Sequence, residues 1–94
     1  MNIRRLVLDV DKARSQPNVV EIANAIEEST NVQAVNVTVT EIDMETVGME
    51  ITVEGEHLDY PALIKAIDST GAVVHSIDEI SSGERIIENI SRKR

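Results

Sequence analysis

Two periodicities alternate along the chain, and their order predicts its elements. Leu6, Leu8 and Val10 recur at every second position, with Arg5, Val7 and Asp9 between them. That is the pattern of a strand with one buried face. After Asp11 to Gln16 the period lengthens: Val20, Ala23, Ile26 and Glu27 follow helical spacing, with Ile22 and Ala25 beside them. Pro17 suits the first turn of this helix, Ser15 or Gln16 its cap region, and Asn31 its stop. Val35, Val37 and Val39 alternate with Asn36, Thr38 and Thr40, and Val47, Met49, Ile51 and Val53 alternate with Gly48, Glu50, Thr52 and Glu54. Asp43-Met44-Glu45-Thr46 joins these two strands as a short hairpin connection. Asp59 caps a second helix with Pro61 in its first turn and Leu63, Ile64 and Ile67 facing inward. Gly71 ends that helix, and a last strand runs from Val73 to Ile80.

The order is β-α-β-β-α-β. Two split βαβ halves in this order predict an α+β ferredoxin-like sandwich. Right-handed crossovers place its four antiparallel strands in the spatial order 4-1-3-2, with both helices on one face. Residues 1–94 then form a single domain, with residues 84–94 as a C-terminal extension. The opposite face of the sheet is bare, and such a face is either covered by a partner or used.

Composition narrows the chemistry. The 94 residues hold 17 acids, 9 bases and no cysteine, for a net charge of −8, and Tyr60 is the sole aromatic. Thiol nucleophiles, disulfides and thiolate metal sites are excluded. The negative field and the missing stacking platforms argue against nucleic acid as a partner. No apolar run approaches the roughly 18 residues of a membrane span, and Asp9 interrupts the one apolar stretch near the N-terminus. A cytoplasmic protein is expected. Charge is also unevenly placed: the tail Ser91-Arg92-Lys93-Arg94 carries three bases and no acid, leaving six bases against all 17 acids before it. Such a tail is a solvated end or a contact for an acidic neighbouring subunit.

The strand alternation assigns side chains to the bare face. With Leu6 and Leu8 toward the helices, Arg5, Val7 and Asp9 point the other way. A register placing Arg5 opposite Glu54 also places Asp9 opposite Glu50. On the other side, pairing Asp9 with His75 pairs Arg5 with Glu79. Arg5 is then compensated between two acids, whereas Asp9 lies between Glu50 and His75. Two carboxylates and an imidazole can hold zinc or manganese, and carboxylates with Thr40 and water suit calcium. The same three residues can equally be an Asp9–His75 ion pair beside a solvated Glu50. A one-residue slip would send His75 to the opposite face. Glu41, Asp43 and Glu45 form a second acidic group around the hairpin connection, without the glycine and bidentate glutamate of an EF-hand loop. Asp9, Glu50, His75 and Asp43 are the candidate metal ligands.

Catalytic constellations are missing. Gly48, Gly55, Gly71 and Gly83 are isolated, so there is no phosphate loop. His75 and Ser76 are strand neighbours pointing to opposite faces and form no triad. His57 reads as a surface residue before the second helix. Small phosphatases of this fold use a first-loop arginine and a second-strand asparagine; Arg14 and Asn36 nominally match, but surrounding acids repel an anionic substrate. Metal chaperones of the fold need a C-x-x-C loop, which is absent.

Ile3-Arg4-Arg5-Leu6-Val7-Leu8-Asp9-Val10, Val35-Asn36-Val37-Thr38-Val39, Glu41-Ile42-Asp43 and His75-Ser76-Ile77-Asp78-Glu79-Ile80 followed by Gly83 resemble short archaeal proteins known as domain of unknown function 211. The resemblance covers nearly the whole chain in order. It implies a ferredoxin-like fold, an archaeal cytoplasmic protein, ring-like homo-oligomers and calcium at acidic sites, with no established enzymatic activity. Arg4, Arg5, Asp9, Asp43, His75, Ser76, Asp78 and Glu79 fall on its motif positions.

The leading expectation is a non-enzymatic module that self-assembles and binds a divalent cation such as calcium, requiring no other cofactor. A marginal core, a bare sheet and two edge strands favour burial against further copies. Ile86, Ile87 and Ile90 look like an extension that docks on a neighbour or folds back on its own subunit. The alternatives are a regulatory module holding a small-molecule ligand between subunits through Asn36, Thr38 and Thr52, and a metal-dependent hydrolase built on Asp9, Glu50 and His75.

Overall fold

The computed structural model describes residues 1–89. Its elements are β1 (Ile3–Ala13), α1 (Val19–Glu27), β2 (Val32–Ile42), β3 (Thr46–Gly55), α2 (Tyr60–Thr70) and β4 (Val73–Ser82). The four strands form one antiparallel sheet in the order β2-β3-β1-β4, the ferredoxin-like arrangement expected from the alternation. Ile90 and the basic tail lie outside the described residues.

Apolar alternation produces the core directly. Leu6, Leu8 and Val10 of β1 and Met49, Ile51 and Val53 of β3 are fully buried on one face of the two central strands. They meet Ile22 and Ile26 of α1 and Leu63 and Ile67 of α2 in a single contiguous cluster. Each such side chain contributes about 1.5–3 kcal/mol through the area it removes from water. The edge strands are less covered: Val35, Val37 and Val74 are half-buried against the same cluster.

The helix ends show which local signals decide. Asp59 caps α2, its side chain accepting from the Ala62 N–H at 3.1 Å, with Pro61 in the first turn. Gly71 closes the helix at φ 100°, a conformation that costs glycine little. For α1 the expected start is corrected. Asn18 is the cap, forming a reciprocal box with Glu21 (both contacts 2.9 Å), and Pro17 precedes the helix. The box satisfies two otherwise orphaned N–H groups, which a proline in the first turn would not do. Ile22 and Ile26 are the buried residues of α1, whereas Val20 is 71% exposed. The helix ends at Glu27 rather than at Asn31, which instead takes φ 69° in the connection to β2. Gly55 allows that connection to pass: a Cβ there would overlap the Asn31 carbonyl oxygen and stand 2.8 Å from Leu58 Cδ2.

Candidate functional site

The register resolves the bare face into four rows running across β2, β3, β1 and β4. These are Ala34–Glu54–Arg5–Ser81, Asn36–Thr52–Val7–Glu79, Thr38–Glu50–Asp9–Ser76 and Glu41–Gly48–Asp11–Val73. Arg5 is the one lysine or arginine in these four rows. The pairing of β1 with β3 is the one expected, with Arg5 opposite Glu54 and Asp9 opposite Glu50.

The pairing with β4 is corrected. Register shifts leave His75 and Asp78 as extra residues, so Ser76 rather than His75 stands opposite Asp9, and Ser81 rather than Glu79 stands opposite Arg5. A bulge adds one residue to one strand only, so a strict two-residue alternation cannot be carried across it. The shift at Val39/Glu41 similarly brings Glu41 opposite Gly48.

One end of the face is electrostatically closed. Arg5 Nε donates to Glu54 Oε2 at 2.8 Å, and its Nη1 reaches Glu79 Oε2 at 3.3 Å. Two further bonds, Nη1 to Oε1 and Nη2 to Oε2, both 2.9 Å, clamp Glu88 in a bidentate pair. These contacts hold the guanidinium pKa above its ordinary value, the Glu88 bond first and then Glu54, while burial opposes them. The Glu88 carboxyl is lowered by the Arg5 hydrogen bonds and then by the Arg5 charge. Nothing in the strand pattern signals Glu88, which lies 83 residues from its partner. It belongs to a segment that folds back on its own subunit: Glu84, Arg85 and Ile86 share a recess with Gln33, Glu54 and Gly55. Ile86 is half-buried there, whereas Ile87 is 74% exposed.

The other end collects carboxylates. Asp9 and Glu50 face one another across β1 and β3, and Asp11 and Glu41 flank Gly48. Asp11 Oδ1 and Glu41 Cβ lie 3.7 and 3.5 Å from where a Gly48 Cβ would stand. Extending the alternation two residues beyond Asp9 finds Asp11; Glu41 needs the bulge. Asp43 lies apart in the β2–β3 turn, its N–H donating to the Thr46 carbonyl at 2.8 Å. The four candidate ligands therefore do not converge, and among the described residues no three His, Asp or Glu side chains are gathered to hold a metal ion.

The remaining candidates are also placed. Asn36 lies across from Thr52, and the Thr38 hydroxyl donates to Asn36 Oδ1 at 2.6 Å. Arg14 ties the loop after β1 to the hairpin turn, donating to the Asp43 carbonyl at 3.2 Å, far along the fold from mid-strand Asn36. Beside it, Lys12 is 8% exposed and donates to the carbonyls of Ala13 and Arg14, each at 3.1 Å.

Apolar side chains are also exposed at both sheet edges. Val39 and Ile42 of β2, Met44 in the following turn, and Val73, Ile77 and Ile80 of β4 are all exposed. They lie on or beside the two strands at opposite edges of the sheet. No helix among the described residues is long and apolar enough to cross a membrane.

Fold and face together define a small ferredoxin-like α+β protein with an acidic open sheet and apolar edges. The chain belongs to the domain of unknown function 211 family, described as an uncharacterized ArCR, whose model matches residues 4–94. It is 41% identical over 88 residues to the uncharacterized protein MJ0319 of Methanocaldococcus jannaschii, covering 94% of this chain and 90% of that relative.

Proposed function

We propose that this protein is a non-enzymatic module that assembles with copies of itself through its two edge strands. The observation that carries this reading is the placement of its exposed apolar residues. Ile77 and Ile80 on β4 are 45% and 51% exposed, and Ile42 on β2 is 63% exposed, while Leu6, Leu8 and Val10 of β1 and Met49, Ile51 and Val53 of β3 are fully buried. Ile77 and Ile80 stand opposite Leu8 and Leu6, hence on the side of the sheet that carries the helices. Both edges also present unpaired backbone donors and acceptors, which a neighbouring copy can satisfy. A contact between the β2 edge of one copy and the β4 edge of the next is heterologous, so it closes into a ring when its rotation permits.

The acidic face gives the assembly a place for cations. Asp9 and Glu50 supply two facing carboxylates, whereas calcium takes six to eight oxygens. Calcium or a similar divalent ion would complete its shell with water or with oxygens of a neighbouring copy.

Native mass spectrometry of EDTA-treated protein, repeated with calcium, magnesium, manganese and zinc, tests both parts. A closed oligomer is expected, and it should dissociate in Ile77→Glu and Ile80→Glu variants that keep their circular dichroism. A monomeric wild type would overturn assembly. An oligomer indifferent in mass and stability to every cation would remove the metal part alone.

A further inference from the structure

The side of the sheet that carries the helices is built of apolar rows running from edge to edge. The register gives Val35–Val53–Leu6–Ile80, Val37–Ile51–Leu8–Ile77 and Val39–Met49–Val10–Val74, and Ile42 adds a further position beside Val47 on β2. The middle of each row is fully buried, but Val39 and Ile42 at one edge and Ile77 and Ile80 at the other are exposed. Apolar rows left open at both edges are what a row of the next copy can extend.

We propose, on the basis of that edge-to-edge assembly, that β2 of one copy pairs with β4 of the next in one register: Val37 beside Ile80, Val39 beside Ile77 and Ile42 beside Val74. Direction comes first. Within the sheet β2 and β4 run antiparallel, so edges joined with the helices of both copies on the same side also pair antiparallel. Burial and charge then choose the register. Continuing each row straight across sets Val35 beside Ile80, Val37 beside Ile77 and Val39 beside Val74, and leaves Ile42 past the start of β4 without an apolar partner. A slide in one direction uncovers Val39 as well. A slide of two steps in the other sets Val39 beside Ile80 and Ile42 beside Ile77, but brings Glu41 opposite Glu79 on the open face. Like charges directly opposite each other destabilise a sheet. The single step covers all four exposed side chains. It sets Asn36, Thr38 and Glu41 opposite Ser81, Glu79 and Ser76, so no two acids face one another. It also aligns the irregularity of β2 at Val39/Glu41 with that of β4 between Val74 and Ser76. The neighbour thereby continues both the core rows and the strand hydrogen bonding.

The chain lacks cysteine, so single substitutions can read this register by disulfide formation. Full-length Val39→Cys and Ile77→Cys proteins are purified separately, mixed, reassembled and oxidised with diamide. A linked dimer is expected from the mixture and from neither protein alone. Facing residues stand about 4.5–5.5 Å apart between Cα atoms, whereas a one-step error opens the pair to about 7–8 Å, beyond the reach of a disulfide. Mixtures of Val37→Cys with Ile77→Cys and of Val39→Cys with Ile80→Cys should therefore link several-fold less. Preferential linkage in either of these would overturn the register, and linkage of Ile77→Cys to itself would overturn the head-to-tail contact. Should a variant fail to assemble, methyl NOEs between isotope-labelled and unlabelled wild-type copies read the same pairs, with Val39 to Ile77 expected. Native mass spectrometry separates the two levels. A monomeric wild type overturns the edge-to-edge reading and this register with it, whereas an oligomer in which none of these pairs meets overturns the register alone.

Discussion

Arg5 and Glu88 meet through two parallel hydrogen bonds of 2.9 Å, although one lies near the start of the first strand and the other follows the last. The guanidinium fork matches the two carboxylate oxygens, and its Nε remains free to bind Glu54 on the adjacent strand. One side chain thereby joins β1, β3, β4 and the C-terminal segment. Replacing Arg5 should leave Glu54, Glu79 and Glu88 repelling one another. Arg5→Ala is expected to lower the melting temperature more than Glu88→Gln does, and Arg5→Lys to recover only part of the loss. Thermal unfolding of the three variants checks the order.

Acid should release the same segment. The Glu88 carboxyl is held below its ordinary value by Arg5, so its contribution is complete above the unfolded value, about 4.3, and declines as pH falls through the lower folded value. The loss therefore begins near pH 4 and continues downward. An NMR titration following the Arg5 Hε resonance should show it, and in Glu88→Gln that low-pH step should be reduced.

Gly55 should resist substitution. A Cβ at this position would overlap the Asn31 carbonyl oxygen, which is backbone and cannot swing aside. Gly55→Ala should cost about 1–3 kcal/mol, as overpacking in well-filled interiors does. Gly48→Ala provides the contrast, since its nearest neighbour would stand 3.5 Å away. Urea denaturation midpoints measure both.

Core and edge should respond oppositely to mutation. Leu8 is fully buried between sheet and helices, and Leu8→Ala should cost about 2–5 kcal/mol through lost transfer energy and a residual cavity. Ile77→Glu and Ile80→Glu alter exposed side chains and should leave a subunit's own unfolding free energy within about 0.5 kcal/mol. Their expected effect is on assembly, visible as a change in mass by light scattering.

Much of this molecule is legible in particular stretches of sequence. The alternation at Leu6, Leu8 and Val10 and at Met49, Ile51 and Val53 identifies the two central strands, because only a two-residue period puts every apolar side chain on one face. Asp59, Pro61 and Gly71 mark the ends of α2 through local hydrogen bonding and backbone freedom. The start of α1 expected from Pro17 lies too early, because the Asn18–Glu21 box sets it. The strand alternation also placed Arg5 between Glu54 and Glu79 correctly in space, although its β4 pairing partner is Ser81, two residues further on.

Local chemistry, repeated at fixed periods, was enough to determine element order, sheet order, the core face and the acidic character of the opposite face. Tertiary structure decided the rest. Bulges set whether His75 or Ser76 faces Asp9, because their extra residues depend on how two distant strands twist together. The return of Glu88 to Arg5 is a contact across 83 residues, with no period to announce it, made only after the sheet has brought both ends of the chain to one face.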